Sequence, residues 1–217
     1  MSHPAGHTPL RGSSKLRAHC PRCERPLRAC LCAWIAPTAN ETPLLILQHP
    51  LEVRQAKGSA RLLQLSLRHC HTLVGECFDP AALQATLAPQ GPLQQTVLLY
   101  PAHEALPGPS VSAHTLVAAQ TRLVVLDGTW RKSLRMLHLN PLLQKLPRLS
   151  LHPDAPSRYL IRKAHRPDQL STLEATCMAL AELEQTPDRY APLLAAFDAF
   201  VAAQAGFHAT RAPGTCP

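Results

Sequence analysis

A chain of 217 residues, 46% of them hydrophobic, is long enough for one domain with small attachments and a buried core. Its formal net charge of +8 suits a polyanionic partner, whereas 4% aromatic residues exclude the base-stacking platform of single-strand binders. No apolar run approaches the ~18 residues that span a bilayer. The polar stretch from Met1 to Leu16 does not read as a secretory signal, so a cytoplasmic chain with reduced thiols is expected.

Residues 1–18 read as a flexible basic tail. Cys20, Cys23, Cys30 and Cys32 follow in the pattern C-x2-C-x6-C-x-C, a knuckle at 19–34. Reduced thiolates at this spacing converge on one tetrahedral cation, and four sulfur ligands leave no open position, so structural zinc is the expected occupant. Four ordinary thiols or a redox pair are the alternatives. A Pro37–Pro43 linker leads to a first strand, Leu44 to Gln48, stopped by His49-Pro50. A helix of about Arg54 to His69 turns Ala56, Ala60, Leu63 and Leu67 to one side. Arg54, Lys57, Arg61 and Arg68 lie on the other, as a solvated face or a phosphate rail.

A second strand lies near Thr72 to Val74, where Cys70 and Cys77 read as buried structural cysteines. Asp79-Pro80 opens a helix, and Thr96 to Tyr100 forms a third strand ending on Pro101. Residues 101–114 read as a loop. Leu123 to Leu126 is a buried strand that stops on Asp127-Gly128-Thr129-Trp130-Arg131-Lys132, which brings an acid, a hydroxyl, an indole and two cations to its C-terminal end. In open α/β sheets ligands bind at that edge. A turn that needs Asp and Gly for backbone reasons, with a packing Trp, is the plainer reading.

A helix from about Trp130 breaks at Asn140-Pro141. Leu149 to Leu151 and Tyr159 to Ile161 are short strand candidates. Ser171-x-x-Glu174 has the form of a capping box at the start of a long helix, and a helix N-terminus also receives a carboxylate or phosphate. Thr186-Pro187-Asp188 opens the last helix, which buries Leu193, Leu194, Phe197, Phe200 and Val201 and stops at Gly206. The class is α/β with a mostly parallel sheet. A G-x-G-x-x-G fingerprint, a P-loop, an H-E-x-x-H pair and a G-x-S-x-G elbow are all absent from the sequence, which disfavours the corresponding chemistries. The scattered histidines, His49 among them, read as surface or satisfied side chains.

The cysteine knuckle, His49-Pro50, Leu99-Tyr100-Pro101, Asp127-Gly128-Thr129-Trp130 and Leu170-Ser171-Thr172-Leu173-Glu174-Ala175, in that order, resemble the DTW-domain family over about residues 19–205. The resemblance implies a SPOUT-like, knotted α/β domain at 40–205, with a tail at 206–217. It implies transfer of the 3-amino-3-carboxypropyl group of S-adenosylmethionine to N3 of a tRNA uridine, releasing methylthioadenosine. On this resemblance Leu99, Tyr100, Pro101, Leu149, Ser171, Thr172 and Leu173 hold the cofactor, and Asp127, Thr129 and Trp130 are catalytic. Arg54, Arg131, Lys132, Arg162 and Lys163 are candidate RNA contacts. RNA methyl transfer on the same fold and non-catalytic RNA binding are the other functions open at this point.

Overall fold

Five-residue apolar runs rich in leucine and valine cannot be covered on one side only, and they pair into a sheet buried on both faces. In the computed structural model, which describes residues 18–55, 59–101, 108–151 and 170–209, this sheet has six strands. They are β1 (Leu44–Gln48), β2 (Cys70–Val74), β3 (Gln95–Leu99), β4 (Ser110–Val111), β5 (Thr121–Asp127) and β6 (Arg148–Leu149). Their spatial order is β2-β1-β5-β3-β6-β4, and every pairing is parallel. The C-terminal ends therefore share one edge. The chain places β2 on one side of β1 and β3 beyond β5 on the other, which makes the β1–β5 gap the switch point where α/β sheets bind ligands.

Alternating side chains divide the core. Leu44, Ile46, Val97, Leu123, Val125 and Leu149 face the layer of α1 (Ser59–Ser66), α5 (Thr172–Leu183) and α6 (Ala191–Ala209). Leu45, Leu47, Leu98, Val124 and Leu126 face α2 (Pro80–Leu87), α3 (Trp130–Leu139) and the short α4 (Pro141–Gln144). Asp79 accepts from the Ala82 N–H at the start of α2, and Pro80 occupies its first turn, as the sequence predicts. The break between α3 and α4 is held by buried Asn140, which accepts from the Phe78 N–H and donates to the Glu76 and Met136 carbonyls.

Several expectations shift. The loop at 101–114 contains β4, a strand too short to carry a period. The helix expected over Arg54 to His69 is described only as Ser59–Ser66; Ala60, Leu63 and Leu67 are buried as expected, whereas Ala56 and Lys57 lie outside the described residues. Arg61 is no part of a free cationic stripe: it donates to the Arg22 carbonyl at 2.9 Å and pairs with Glu24 at 3.4 Å, tying α1 to the knuckle. Cys70 is half-buried, and Cys77 is exposed rather than structural. The last helix continues through Gly206 to Ala209, because one glycine costs only about 1 kcal/mol against alanine-rich flanks. The Tyr159–Ile161 strand lies outside the described residues.

Candidate functional site

The register of β1 on β5 sets Gln48 opposite Asp127 at the switch point. Both side chains point to the α1–α5 face, and Gln48 Nε2 donates to Asp127 Oδ2 at 2.8 Å. Asp127 is 6% exposed. Burial pushes its carboxyl above the ordinary carboxylate range, and the Glu52 charge adds to that. Hydrogen bonds from Thr172, Gln48 and Ser59 oppose the shift. A carboxylate raised in this way is a stronger base than a solvated one, held by an amide and two hydroxyls from three other segments.

The backbone around this pair is tied as well. The His49 N–H donates to the Asp127 carbonyl at 3.0 Å, and the Gly75 N–H donates to the Gln48 carbonyl at 3.0 Å. His49 Nδ1 accepts from the Leu51 N–H, which leaves Nε2 to face Glu76 at 3.2 Å. This is a satisfied histidine, as its sequence setting suggests. Gly128 has an ordinary negative φ, so the turn does not need its freedom. A Cβ there would sit 3.2 Å from Lys132 Cβ and 3.7 Å from His49 Cβ, so glycine lets α3 close against β1.

The remaining site candidates fall into four groups. Tyr100 is buried and Trp130 is 61% exposed, and their rings meet edge to face with centroids 5.9 Å apart. Thr129 is the exposed residue preceding α3, and its side chain makes no cap bond. Ser171 forms the predicted capping box, accepting from the Glu174 N–H while Glu174 accepts from the Ser171 N–H at 2.8 Å. Thr172, next in the chain, is thereby presented towards Asp127. Leu149 and Leu173 turn their side chains into the core, Leu99 is half-buried and Pro101 exposed. Among the cations, Arg54 and Arg131 are exposed, whereas Lys132 is committed to Glu52 at 2.6 Å. Arg162 and Lys163 lie outside the described residues.

The four knuckle cysteines form a second centre. Their Sγ atoms all lie within 4.8 Å of one another, with Cys20 to Cys32 at 3.6 Å and Cys23 to Cys30 at 3.7 Å. Four sulfurs each about 2.3 Å from a tetrahedral zinc stand about 3.8 Å apart, so the donor set fits a closed metal site. Glu24 takes a left-handed φ of 60° to bring the first pair together, and the Cys20 N–H donates to the Arg25 carbonyl. Backbone N–H groups of Cys23 and Arg22 hold the Cys20 thiol down at about 6, while burial pushes Cys32 up to about 12. The knuckle is locked to α6 by the Trp34–Phe200 ring contact at 5.3 Å and by Arg25 over the Phe200 ring.

Sequence reading missed Gln48, Ser59, Glu52 and the buried Arg148. None sits in a local motif, and only the sheet register brings Gln48 to Asp127.

The DTW domain matches residues 17–205. The chain belongs to the DTW-domain family. It is similar to tRNA-uridine aminocarboxypropyltransferase 2 of Drosophila melanogaster, 34% identical across 79% of this chain and 69% of that protein. Proteins of the same name from Macaca fascicularis and Mus musculus are each 31% identical, over 79% and 78% of this chain. The chain spans 58% and 57% of the length of those two relatives. No solved structure matches it significantly. Within the DTW segment, Asp127-Gly128-Thr129-Trp130 joins the end of β5 to the start of α3 at the switch point. No helix among the described residues is long and apolar enough to cross a membrane.

Proposed function

We propose that this DTW-domain protein transfers the 3-amino-3-carboxypropyl group of S-adenosylmethionine to N3 of a tRNA uridine, releasing methylthioadenosine. The observation that carries this reading is Asp127, buried and held by Gln48 at the switch point of a parallel sheet, in a chain similar to transferases of that name. In the reaction the uridine N3–carbon bond forms as the sulfur–carbon bond breaks. The bonding pair stays on sulfur, and the N3 proton must go to a base. Asp127 accepts that proton, and burial suits it to do so by strengthening it as a base. Thr172, Ser171 and the Tyr100–Trp130 wall hold the donor, with Leu99, Pro101, Leu149 and Leu173 contributing main-chain contacts, and Thr129 holds the base or the donor's amino-acid end. Orientation decides which of the sulfonium's three carbons meets N3. Arg54, Arg131, Arg162 and Lys163 contact tRNA phosphates, and Lys132 does so only by leaving Glu52.

The knuckle holds a structural zinc. A SPOUT-like, knotted arrangement of the 40–205 domain is the finer fold that goes with this function; the parallel sheet and its ligand edge accord with it. The test is the by-product formed from S-adenosylmethionine and unmodified tRNA. Methylthioadenosine is expected, and adenosylhomocysteine in its place would make the protein a methyltransferase.

Gln48 acts through Asp127. Gln48→Leu deletes a hydrogen bond to the carboxylate, which raises the carboxyl further and moves the acid limb of the rate profile to higher pH. Transfer should fall roughly tenfold near neutrality, the worth of one hydrogen bond to a charged group. A rate loss without movement of the acid limb would assign Gln48 to packing alone.

A further inference from the structure

Arg148 is among the largest fully buried side chains of the described residues, 2% exposed, and it stands one residue before the end of β6. Its backbone is used by the sheet: its N–H donates to the Pro109 carbonyl at 2.7 Å, and it pairs in register with Leu98 and Ser110. Its guanidinium is not used by hydrogen bonds. Nε, Nη1 and Nη2 are all buried and have no hydrogen-bond partner among the described residues. Leu149 faces the α5 layer, so Arg148 faces the opposite one, where its Cζ lies 5.9 Å from the centroid of the Tyr100 ring. The same ring meets Trp130 in an edge-to-face contact. Gly108 leaves the guanidinium its room, since a Cβ there would stand 3.2 Å from Arg148 Nε.

An aromatic face offsets part of the charge but satisfies none of the donors. A buried guanidinium without an acceptor is among the costliest groups a fold can carry, and replacing it with an apolar side chain of similar size is ordinarily stabilising. Five donors in a planar fork match one kind of partner best, a planar or tetrahedral oxyanion taken bidentately.

We propose that Arg148 is an oxyanion-binding residue, whose guanidinium, set against the Tyr100 ring and lacking an acceptor among the described residues, pairs with a carboxylate or phosphate oxygen of a bound substrate. This deepens the functional reading above and rests on it for the substrates concerned. The donor carries such a group in the carboxylate of the moiety it transfers, and the RNA carries one in every phosphate. Gripping the donor's carboxylate would fix the one end that distinguishes the aminocarboxypropyl arm from the methyl group.

The test compares wild type with Arg148→Gln and Arg148→Met in four measurements. The first is thermal stabilisation by inorganic phosphate against chloride at equal ionic strength, which needs no assumption about the reaction. Wild type should be stabilised by phosphate, and both variants should lose that increment. The second is the melting temperature without anion, which should rise in Arg148→Met. The third is equilibrium binding of S-adenosylmethionine and of its decarboxylated form. If the donor's carboxylate is the partner, the variants lose about 10- to 100-fold in affinity for the first and nothing for the second. The fourth is tRNA binding against salt, in which a phosphate partner lowers the slope by about one unit in the variants and spares the donor. A wild type that binds no donor but keeps the phosphate effect overturns the transferase reading and leaves the oxyanion site standing. Unchanged phosphate stabilisation and unchanged binding of both substrates, with a lower melting temperature in Arg148→Met, overturn the proposal and make Arg148 a structural residue.

Discussion

Asp127→Asn lowers transfer by about 100- to 10,000-fold, the span a positioned base contributes, while donor affinity stays within a few-fold of wild type. The asparagine keeps the shape and still offers an oxygen to the Gln48 amide, so the site does not collapse. The same substitution raises stability near neutral pH. Because burial lifts the Asp127 carboxyl above its unfolded value, the folded protein holds this proton over a window in which the unfolded chain has released it. Folding stability from this group therefore falls as pH rises from the ordinary carboxylate range through the raised folded value. The variant lacks that fall. Thermal melts of both proteins across acid to neutral pH should diverge in that direction, and parallel curves would remove the burial argument. Full activity in Asp127→Asn would remove the base.

Loss of the zinc proposed for the knuckle has the second large expected effect. Zinc analysis should find one ion per chain, and Cys23→Ser or a strong chelator should release it. Structural zinc supplies on the order of 10 kcal/mol in small modules, and a loss of at least ~3 kcal/mol here is expected because the knuckle is part of the main core. Cys20, Cys23 and Leu31 pack in the same cluster as α5 and α6, and Trp34 meets the Phe200 ring. Trp34 fluorescence should report the release. A chelated protein with unchanged melting would instead leave four thiols that pack without metal.

The parts legible in the sequence were those written locally. β1, β3 and β5 are continuous apolar runs, Asp79-Pro80 and Ser171-x-x-Glu174 are helix starts whose side chains bond within three residues, and the cysteine spacing closes on itself. The parts not legible depend on distant pairing. Gln48 looks like the polar end of a strand until β1 lies beside β5. Arg148, after Pro147, looks like a loop cation until β6 is inserted between β3 and β4 and its alternate face is buried. Lys132 looks like a free cation until the turn after β1 brings Glu52 to it. Even the glycine of Asp127-Gly128-Thr129-Trp130 is explained by close packing, against Lys132 in the first turn of α3 and His49 after β1, rather than by the turn chemistry its neighbours suggest.

The most direct test of the account is label transfer to unmodified tRNA, with S-adenosylmethionine labelled in either its carboxyl or its methyl carbon, for wild type and Asp127→Asn side by side. Wild type is expected to move the carboxyl label onto a uridine and leave the methyl label in methylthioadenosine, with carboxyl transfer by Asp127→Asn lowered about 100- to 10,000-fold. Methyl label in the RNA, or carboxyl label transferred equally well by Asp127→Asn, would contradict it.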